Sequence, residues 1–392
     1  MTRYDYLIVG GGMTADAAAH GIREEDAKGS LAIVGAESDK PYNRPPLTKG
    51  LWKGDAPDSV WRKTDETGAT LVLGRRIVKL DAAEKRATDD RGEVYEYGTL
   101  LLATGGQPRR LAGAPDGVVY YRTLADYRRV RELADGGSSF LVIGAGFIGS
   151  EIAAALRMQG RDVTMIVRDQ GIGAKVYPED LSRHLVSYYR EKGVTVRLGE
   201  EAGRIETSGG RYRVHAGHGD LLEVDAVVAG LGIEPDVSLA RAAGLTVKDG
   251  IEVDPQLRSN RPDIYAAGDV ASFENPALGK RIRVEHEDNA NTMGTLAGRN
   301  MAGAGARYDH LPFFYSDLFD LGYEAVGDLD ARHETYADWK EKYREGVVYY
   351  LERGRVRGVL LWNTWGQVDA ARALIAEPGP FRPEELKGRL PA

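Results

Sequence analysis

The alternation of apolar and polar positions along the chain predicts a repeated unit of strand, glycine turn and helix. The apolar runs YDYLIV and SFLVI each lead into a glycine-rich turn, and each turn leads into an alanine-rich stretch. A short apolar run bounded by turn residues is typical of a buried strand, and the longer stretch behind it is typical of a helix. We therefore predict a strand–turn–helix unit from Tyr4 to Arg23 and a βαβ unit from Phe140 to Val167.

The remaining apolar runs predict the rest of the fold. Strands are expected at Leu31 to Val34, Thr99 to Gly106, Asp225 to Ala229 and Asp263 to Val270, with hairpin turns near Gly209 and Gly217 and a helix from His286 to Met301. From Phe313 onward the runs become short and rich in Tyr, Trp and Val, and they end in a helix at Val368 to Ala376. The pattern predicts an α/β fold with two Rossmann-like dinucleotide-binding domains and a C-terminal α+β domain.

The two glycine turns carry the chemistry of nucleotide binding. Such a turn lets backbone N–H groups at a helix N-terminus approach a pyrophosphate. An acid, Glu37, follows the second predicted strand, near where such folds place the carboxylate that binds an adenosine ribose, although a solvated loop acid is the alternative. The small residues that the turns need are Gly10, Gly12 and Ala15 in the first and Gly144, Gly146 and Gly149 in the second. The sequence therefore predicts two bound dinucleotides in one chain.

Length and charge narrow the class of protein. At 392 residues the chain exceeds what one hydrophobic core usually supports, so two or three domains are expected. The net charge of -7 argues against non-specific binding to nucleic acid or to an acidic membrane, and the Arg-rich stretch from Arg122 to Arg131 is interpreted as a solvated helix face. No signal-like segment and no apolar run of membrane-spanning length is found, so we expect a cytoplasmic protein without a membrane span.

Cysteine is absent from the chain. This excludes structural disulfides, thiolate metal sites, iron–sulfur clusters bound by the protein and a catalytic disulfide. No metal site is expected either, because His286 has no second histidine at ligand spacing.

Several motifs together carry a resemblance to a known family. They are IVGGGMTA, PYNRPPLTKGLW, LLATGG, GAGFIGSEIA, GLGIEPDVSLA and DIYAAGDVASF. With them the chain resembles the FAD-dependent pyridine nucleotide oxidoreductases without a redox disulfide, which include putidaredoxin, rubredoxin and ferredoxin reductases. Its C-terminal motifs FFYSDLFDLGYEAVG and VLLWNTWGQVDAARALI look more like apoptosis-inducing factor, but the long insertion of that protein is missing between Gly327 and Gly346.

The resemblance implies a cofactor for each dinucleotide-binding domain. We predict an FAD domain over residues 1–117 and 244–312, an NAD(P)H domain over residues 118–243 and an interface-like C-terminal domain over residues 313–392. Besides its glycine turn, the FAD site would include Glu37, Arg44, Pro45, Ala103, Thr104, Gly105, Gly268 and Asp269. Asp269 would accept hydrogen bonds from the ribityl chain, although AAGD alone is also typical of a tight turn. NAD(P)H would bind at the second glycine turn, with Ile148, and at Gly232.

Lys49 and Glu151 are the candidate catalytic pair. In the family, the lysine of the RPPL-[ST]-K motif approaches the flavin N5 edge and pairs with the glutamate of a GSE motif. A buried cation there would stabilise anionic reduced flavin, and the carboxylate would lower the cost of burying that cation. An ordinary interdomain ion pair is the alternative. Phe147, inside the second glycine turn, would cover the flavin until nicotinamide displaces it, or else it packs between helix and strand.

The resemblance also suggests residues that surround the flavin. His286 would lie beside the pyrimidine or nicotinamide side, with Glu285 and Asp288 tuning its charge. Tyr315 and Trp365 would cover the flavin from the C-terminal domain, and core packing is the alternative for Trp365.

The choice between NADH and NADPH depends on the end of the strand DVTMIV. Val167 takes the place where an acid often ends this strand, and Arg168 and Asp169 follow it. Arg168 could bind a 2′-phosphate, whereas Asp169 could accept from a 2′-hydroxyl group. The resemblance to apoptosis-inducing factor favours NADH.

Two functions agree with these residues. In the first, hydride passes from NAD(P)H to FAD, and electrons then pass to a small iron–sulfur protein such as a ferredoxin or rubredoxin, or to a quinone-like acceptor. In the second, reduced nucleotide stays stacked on the flavin and reshapes a dimer or partner surface. The fold does not choose between them, and a homodimer is left open.

Overall fold

The computed structural model describes residues 2–217 and 219–391 of the chain, and these residues pack into two compact units. The first unit comprises residues 2–44, 57–107 and 234–312. The second comprises residues 45–56, 108–217, 219–233 and 313–391. The hairpin turn predicted near Gly217 includes His218, which lies outside the described residues.

The first unit is built on a mixed sheet whose core strands are parallel. Across the sheet, the strands run in the order Thr70–Leu73, Leu31–Gly35, Thr2–Val9, Val94–Leu102, Arg86–Asp89 and Ile77–Asp81, and Ile264–Ala266 pairs with the end of Val94–Leu102. Arg86–Asp89 and Ile77–Asp81 are antiparallel to their neighbours. Strands of a parallel sheet are buried on both faces and read as continuous apolar runs, as LAIVG does here, with every residue buried.

Two helices of this unit pack at very close approach. Met13–Glu25 and Glu287–Met301 meet through small residues, because a Cβ atom at Gly294 would lie 2.6 Å from the carbonyl oxygen of Thr14. Glycine removes that collision and lets the two backbones touch. This contact fixes the position of the glycine turn that precedes the first helix. It also fixes the position of the residue that precedes the second helix.

A smaller sheet and several short elements complete the first unit. The sheet contains Val247–Lys248, Gly250–Glu252, Ala271–Asn275 and Lys280–Ile282, in that order. The short helical elements are Pro57–Val60, Thr64–Thr67, Ser238–Ala242 and Gly268–Val270. Two of the points at which the chain passes between the units lie within the short strands Gly106–Pro108 and Ile233–Pro235.

The second unit contains another parallel sheet. Its strands follow the order Thr195–Leu198, Val163–Val167, Phe140–Ile143 and Ala226–Ala229. An antiparallel sheet of Ala202–Ser208, Arg211–Ala216 and Leu221–Val224 replaces the simple hairpin that the sequence predicts. The helices are Gly50–Lys53, Leu124–Asp135, Phe147–Met158 and Glu179–Glu191, and a short helical turn covers Pro45–Leu47.

Residues 313–391 of this unit form a twisted antiparallel sheet with a helix. The strand order is Phe313–Leu318, Leu321–Gly327, Arg355–Trp362, Glu345–Glu352 and Glu334–Glu341. The helix Val368–Ala376 has the predicted bounds, and a short helical turn follows at Pro383–Leu386. Within the described residues, no helix is long and apolar enough to cross a membrane.

The predicted fold class is confirmed, and several element bounds are corrected. The strand predicted at Thr99 to Gly106 is Val94–Leu102, because the chain turns at Ala103–Gly105 instead of continuing in the sheet. The strand predicted through Val270 stops at Ala266, where a helical turn begins at Gly268.

The division into three domains stays a prediction. The two compact units divide the chain at residues other than the predicted domain boundaries. Residues 45–56 and 108–117 pack in the second unit, and residues 234–243 pack in the first. Residues 45–56 pack in the second unit because the carbonyl of Trp52 accepts from the side-chain amide of Gln159 at 2.9 Å. Residues 234–243 pack in the first unit because Leu239 is part of its hydrophobic core.

Candidate nucleotide and flavin sites

The first glycine turn has the geometry of an open cradle. Gly10 has a φ of 124°, and a Cβ atom there would lie 2.1 Å from the carbonyl oxygen of Ala103, so only glycine fits. Gly12 begins the helix that follows, and among the described side chains none caps that helix end. A Cβ atom at Gly12 would meet nothing closer than Arg44 Nη2 at 3.9 Å. Ala15 is buried where helix and strand meet. The backbone of this turn is therefore accessible to a pyrophosphate.

Glu37 lies at the end of the second strand and is already part of a polar cluster. Its carboxylate pairs with Arg44 Nη2 at 2.5 Å and accepts from the hydroxyl of Tyr42 at 2.5 Å. Arg44 also donates to the Tyr42 hydroxyl at 3.0 Å. These contacts hold the carboxylate in one orientation, and its side chain keeps 29% of its surface exposed. The role of Glu37 at an adenosine ribose stays a prediction.

The ATGG and AAGD motifs both lie at the carboxyl ends of neighbouring parallel strands. Thr104 donates to the carbonyl of Asp236 at 2.8 Å, and Gly105 has a φ of 64°. Gly268 has a φ of 75°, and a Cβ atom there would lie 2.3 Å from Thr14 Oγ1. Asp269 follows in a half-buried position. The motifs thus meet at one edge of the sheet, where ligands of such folds bind.

His286 immediately precedes the helix Glu287–Met301 and is half-buried. The carboxylates expected to tune it have partners of their own. Glu285 pairs with Arg283 at 2.6 Å, and Asp288 pairs with His310 at 2.6 Å. The tuning of His286 by these two acids stays a prediction.

The second glycine turn repeats the geometry of the first. Gly144 has a φ of 100°, and a Cβ atom there would lie 2.5 Å from the carbonyl oxygen of Gly230. A Cβ atom at Gly149 would lie 2.2 Å from the carbonyl oxygen of Gly144. At Gly146, by contrast, no described atom lies within 4 Å of a Cβ position. Tight packing on both sides of an open middle glycine is the arrangement that lets a pyrophosphate reach the backbone.

Residues near this turn differ in how accessible they are. Ile148 keeps 38% of its surface exposed. The carbonyl of Gly232 is already engaged, because it accepts from the backbone amide of Arg109 at 3.0 Å. Arg168 extends into solvent and approaches Glu201 at 3.9 Å, while Asp169 is half-buried.

Lys49 and Glu151 form a buried ion pair in the second unit. The ammonium lies 2.7 Å from Glu151 Oε2, and the side chains are 12% and 2% exposed. Lys49 also lies 5.2 Å from the ring centroid of Tyr315, over its face. Glu151 projects from the apolar helix Phe147–Met158, where a charge without partners would be very costly.

The turn that presents Lys49 is held by hydrogen bonds to one carbonyl group. The carbonyl of Leu47 accepts from Trp52 Nε1 at 2.7 Å and from the hydroxyl of Tyr121. Burial raises the pKa of Tyr121 well above its usual value, so this hydroxyl keeps its proton. The backbone on either side of Lys49 is thereby fixed before any ligand binds.

The aromatic residues that the resemblance suggests lie on the same part of the second unit. Phe147 packs edge to face against Phe314, with ring centroids 5.1 Å apart. Tyr315 follows Phe314 in the strand Phe313–Leu318, and Trp365 is 53% exposed beside Gly322. Core packing therefore does not account for Trp365.

Sequence reasoning missed the hydroxyl groups that surround Glu151. Thr48 donates to Glu151 Oε2 at 2.5 Å, and Ser316 donates to Oε1 at 2.5 Å. Thr48 is adjacent to Lys49 in the motif PPLTKG, which is a signal that could have identified it. Ser316 gives no such signal, because it is far from Glu151 in the sequence and only tertiary packing brings it near.

Comparison with known proteins identifies the family. Residues 4–294 match the family described as pyridine nucleotide-disulphide oxidoreductase. The chain belongs to this family. Residues 330–377 also match the C-terminal, mitochondrion-associated region of apoptosis-inducing factor.

Individual members of the pyridine nucleotide-disulphide oxidoreductase family are similar over nearly the whole chain. The ferredoxin–NAD(+) reductase component of the anthranilate 1,2-dioxygenase system of Burkholderia cepacia is 33% identical, covering 98% of this chain and 97% of that protein. Mitochondrial apoptosis-inducing factor 1 of Dictyostelium discoideum is 32% identical, covering 95% and 78%. The solved covalent complex of putidaredoxin reductase and putidaredoxin is similar with a TM-score of 0.91 and 27% identity, covering 98% and 95%.

The cofactors of the family fit the residues present. Each unit has a glycine turn whose middle residue, Gly12 or Gly146, leaves its helix N-terminus open. The first unit adds a carboxylate, Glu37, that Arg44 and Tyr42 hold in one orientation. The chain is an FAD-dependent NAD(P)H oxidoreductase. Because it contains no cysteine, this family member passes electrons without a protein disulfide.

Proposed function

We propose that this enzyme passes electrons from NADH, through FAD, to a ferredoxin-type iron–sulfur protein. The observation that carries the proposal is similarity over nearly the full length to a reductase solved in complex with putidaredoxin. The Burkholderia relative, named as a ferredoxin–NAD(+) reductase component, supports the same acceptor class. When bound, FAD takes two electrons from the nucleotide and delivers them to carriers that accept one at a time.

We propose that the first glycine turn, Glu37 and Asp269 bind FAD. The ion pair with Arg44 supports the binding role of Glu37, because it holds the Glu37 carboxylate in one orientation. Tyr42 belongs to the same cluster and would act with them. His286 begins the helix beside this site and would contact the flavin.

We propose that the second glycine turn binds NADH. Arg168 would be the contact for a 2′-phosphate, but its guanidinium lies near the carboxylate of Glu201. The negative charge of Glu201 would repel a phosphate group bound there. Asp169 follows as an acceptor for a 2′-hydroxyl group. These charges favour NADH over NADPH.

We propose that Lys49 is the cation that acts on the flavin and that Glu151 holds it in place. The support is that Lys49 is largely buried, is paired at 2.7 Å and has a fixed backbone on both sides. Phe147, Tyr315 and Trp365 would cover the reacting rings and exclude water from them.

A second function is favoured by one observation, the match of residues 330–377 to apoptosis-inducing factor. In that case reduced nucleotide would stay bound and change a partner or dimer surface. A quinone acceptor, a homodimer and a cytoplasmic location remain predictions from the sequence.

Stopped-flow spectroscopy distinguishes these functions. The flavin is reduced anaerobically with NADH and then mixed with an oxidised [2Fe–2S] ferredoxin or with a soluble quinone. Rapid reoxidation by ferredoxin supports the proposal, and reoxidation by quinone alone would assign the other acceptor class. A long-wavelength absorption band that survives both acceptors would refute turnover and support the binding function.

A further inference from the structure

Arg283 lies just after the strand Lys280–Ile282 and connects separate segments of the first unit. Its guanidinium donates through Nη1 to the carbonyl oxygen of Asp269 at 3.1 Å and to Glu285 Oε1 at 2.6 Å. Through Nε it donates to Asp249 Oδ1 at 2.9 Å. The Arg283 side chain is only 13% exposed. One largely buried side chain therefore ties the turn that carries Asp269 to the segment that carries Glu285.

The turn that carries Asp269 lies between regular strands. The strand Ile264–Ala266 ends before this turn, and the strand Ala271–Asn275 begins after it. Asp269 itself belongs to the short helical turn Gly268–Val270. The hydrogen bond from Arg283 to its carbonyl is of the stronger kind, because the donor is ionised. It holds the backbone at a point where no strand partner does so.

The stem of Arg283 is packed beside the same turn. Gly250 has a φ of 92°, and a Cβ atom there would lie 2.9 Å from Arg283 Cδ and 2.6 Å from the carbonyl oxygen of Val270. Glycine at this position thus leaves room for the stem. An arginine suits the site because its planar fork presents several donors in fixed directions, whereas the ammonium of a lysine is a compact point charge.

The backbone next to Arg283 is anchored independently of that side chain. Asn289 is fully buried, and its Nδ2 donates to the carbonyl of Val284 at 3.1 Å. The Oδ1 atom of Asn289 accepts from the hydroxyl of Tyr308 at 2.9 Å. The residue after Arg283 is thereby tied to the helix that carries Asn289. Arg283 therefore reaches Asp269 from a backbone that is itself fixed.

We propose that Arg283 is a positioning residue for FAD, because it holds Asp269 where its carboxylate accepts from the ribityl chain. This inference rests on the proposed role of Asp269 in FAD binding. Arg283 acts through the backbone of Asp269 and not by contact with the cofactor. A carboxylate that is not held in place must be ordered when FAD binds, and this ordering lowers the affinity. Loss of Arg283 therefore speeds the release of FAD without removing a group that binds it.

The test measures release of FAD from the purified holoenzyme. Each holoenzyme is diluted, and the FAD released over time is separated by ultrafiltration and measured by absorbance. Arg283→Met should release FAD about tenfold faster than the parent protein, an effect of the size expected for one lost hydrogen bond to a charged group. Arg283→Lys keeps the charge but not the fork, so its rate should lie between the two. This conservative variant also decides the question if Arg283→Met does not fold.

Arg281→Met is the matched control. Arg281 lies two residues earlier, donates to the carbonyls of Ser272 and Val253, and pairs with Glu274 at 3.3 Å. Its substitution removes an arginine, an ion pair and hydrogen bonds to carbonyl groups, but it leaves the contact to Asp269 in place. It should lower the melting temperature about as much as the test variant does, and the rate of FAD release should stay that of the parent protein.

Asp269→Ala separates this inference from the proposed function. If Asp269 binds FAD, this variant releases FAD faster than the parent protein. Adding Arg283→Met to it should then cause little further acceleration, because Arg283 acts through Asp269. This pattern, with Arg281→Met at the parent rate, supports the inference.

Two other patterns overturn the inference while the role of Asp269 stands. In the first, Asp269→Ala speeds release but Arg283→Met and Arg283→Lys both match Arg281→Met. In the second, the effect of Arg283→Met multiplies that of Asp269→Ala, which shows that Arg283 acts on FAD by another route. If Asp269→Ala releases FAD at the parent rate, the proposed role of Asp269 fails and the inference fails with it.

Discussion

The ion pair of Lys49 and Glu151 allows a prediction in which function and stability respond differently. Lys49→Met removes the cation and leaves the carboxylate with Thr48 and Ser316 as donors. Glu151→Gln removes the negative charge and leaves the cation. If Lys49 acts on the flavin, the first change lowers the flavin potential and the second raises it or slows hydride transfer, because a positive charge favours the reduced form.

The size of the stability effect follows from the distance and burial of the pair. The charges are 2.7 Å apart and the side chains are 12% and 2% exposed. With an effective dielectric constant of about 20, attraction at this separation is about 6 kcal/mol, and desolvation of both groups offsets much of it. We expect each single variant to lose about 3 kcal/mol of unfolding free energy, since it leaves an unpaired buried charge. The double variant should lose about 2 to 3 kcal/mol less than the sum.

The assay is a double-mutant cycle on the flavin-loaded protein. Unfolding free energies come from urea titrations of the parent protein, both single variants and Lys49→Met/Glu151→Gln, and each folded protein is also titrated potentiometrically. FAD content, measured by absorbance after heat release, is expected to stay near one per chain in all of them.

Two results would contradict this reasoning. Additive stability losses, with a coupling below about 0.5 kcal/mol, would show that the pair is not a buried interaction of the expected strength. Well-folded variants with a large coupling but unchanged potentials would show a structural ion pair and end its assignment to the reaction.

Other predictions test the nucleotide sites and the electron path. Gly268→Ala should reduce FAD content, because its Cβ would collide with Thr14 at a positive φ; FAD absorbance of the purified protein measures this. Arg168→Ala should raise the KM for NADPH about tenfold or more and spare NADH, as loss of a charge-assisted contact costs about 1.5 to 3 kcal/mol, and Asp169→Asn should affect NADH instead. Equal effects on both nucleotides would exclude these residues from specificity. Glu201→Gln should improve NADPH use in the same kinetic assay. Anaerobic bleaching of the flavin by NADH should be unaffected by alkylating agents, since the chain has no cysteine; inhibition would contradict a path without thiols.

The sequence alone predicts the features that depend on local spacing. The turns at Gly10 and Gly144 can be recognised because a positive φ and close backbone contacts demand glycine at fixed positions after an apolar strand. The helix Val368–Ala376 has the predicted bounds because its apolar residues recur at helical spacing. The strand Val94–Leu102 is placed less well, since its polar first half is paired with an antiparallel strand that an apolar run does not reveal.

Tertiary structure alone decided how the candidate site is held together. Thr48, Lys49, Glu151 and Ser316 come from three separated parts of the chain, and no spacing rule relates them. Sequence similarity suggested the pairing of Lys49 with Glu151, but the hydroxyl donors on the carboxylate appear only in three dimensions. The physical reason is that a buried charge must be satisfied by whatever groups packing brings within hydrogen-bond distance, and packing is set by the whole fold.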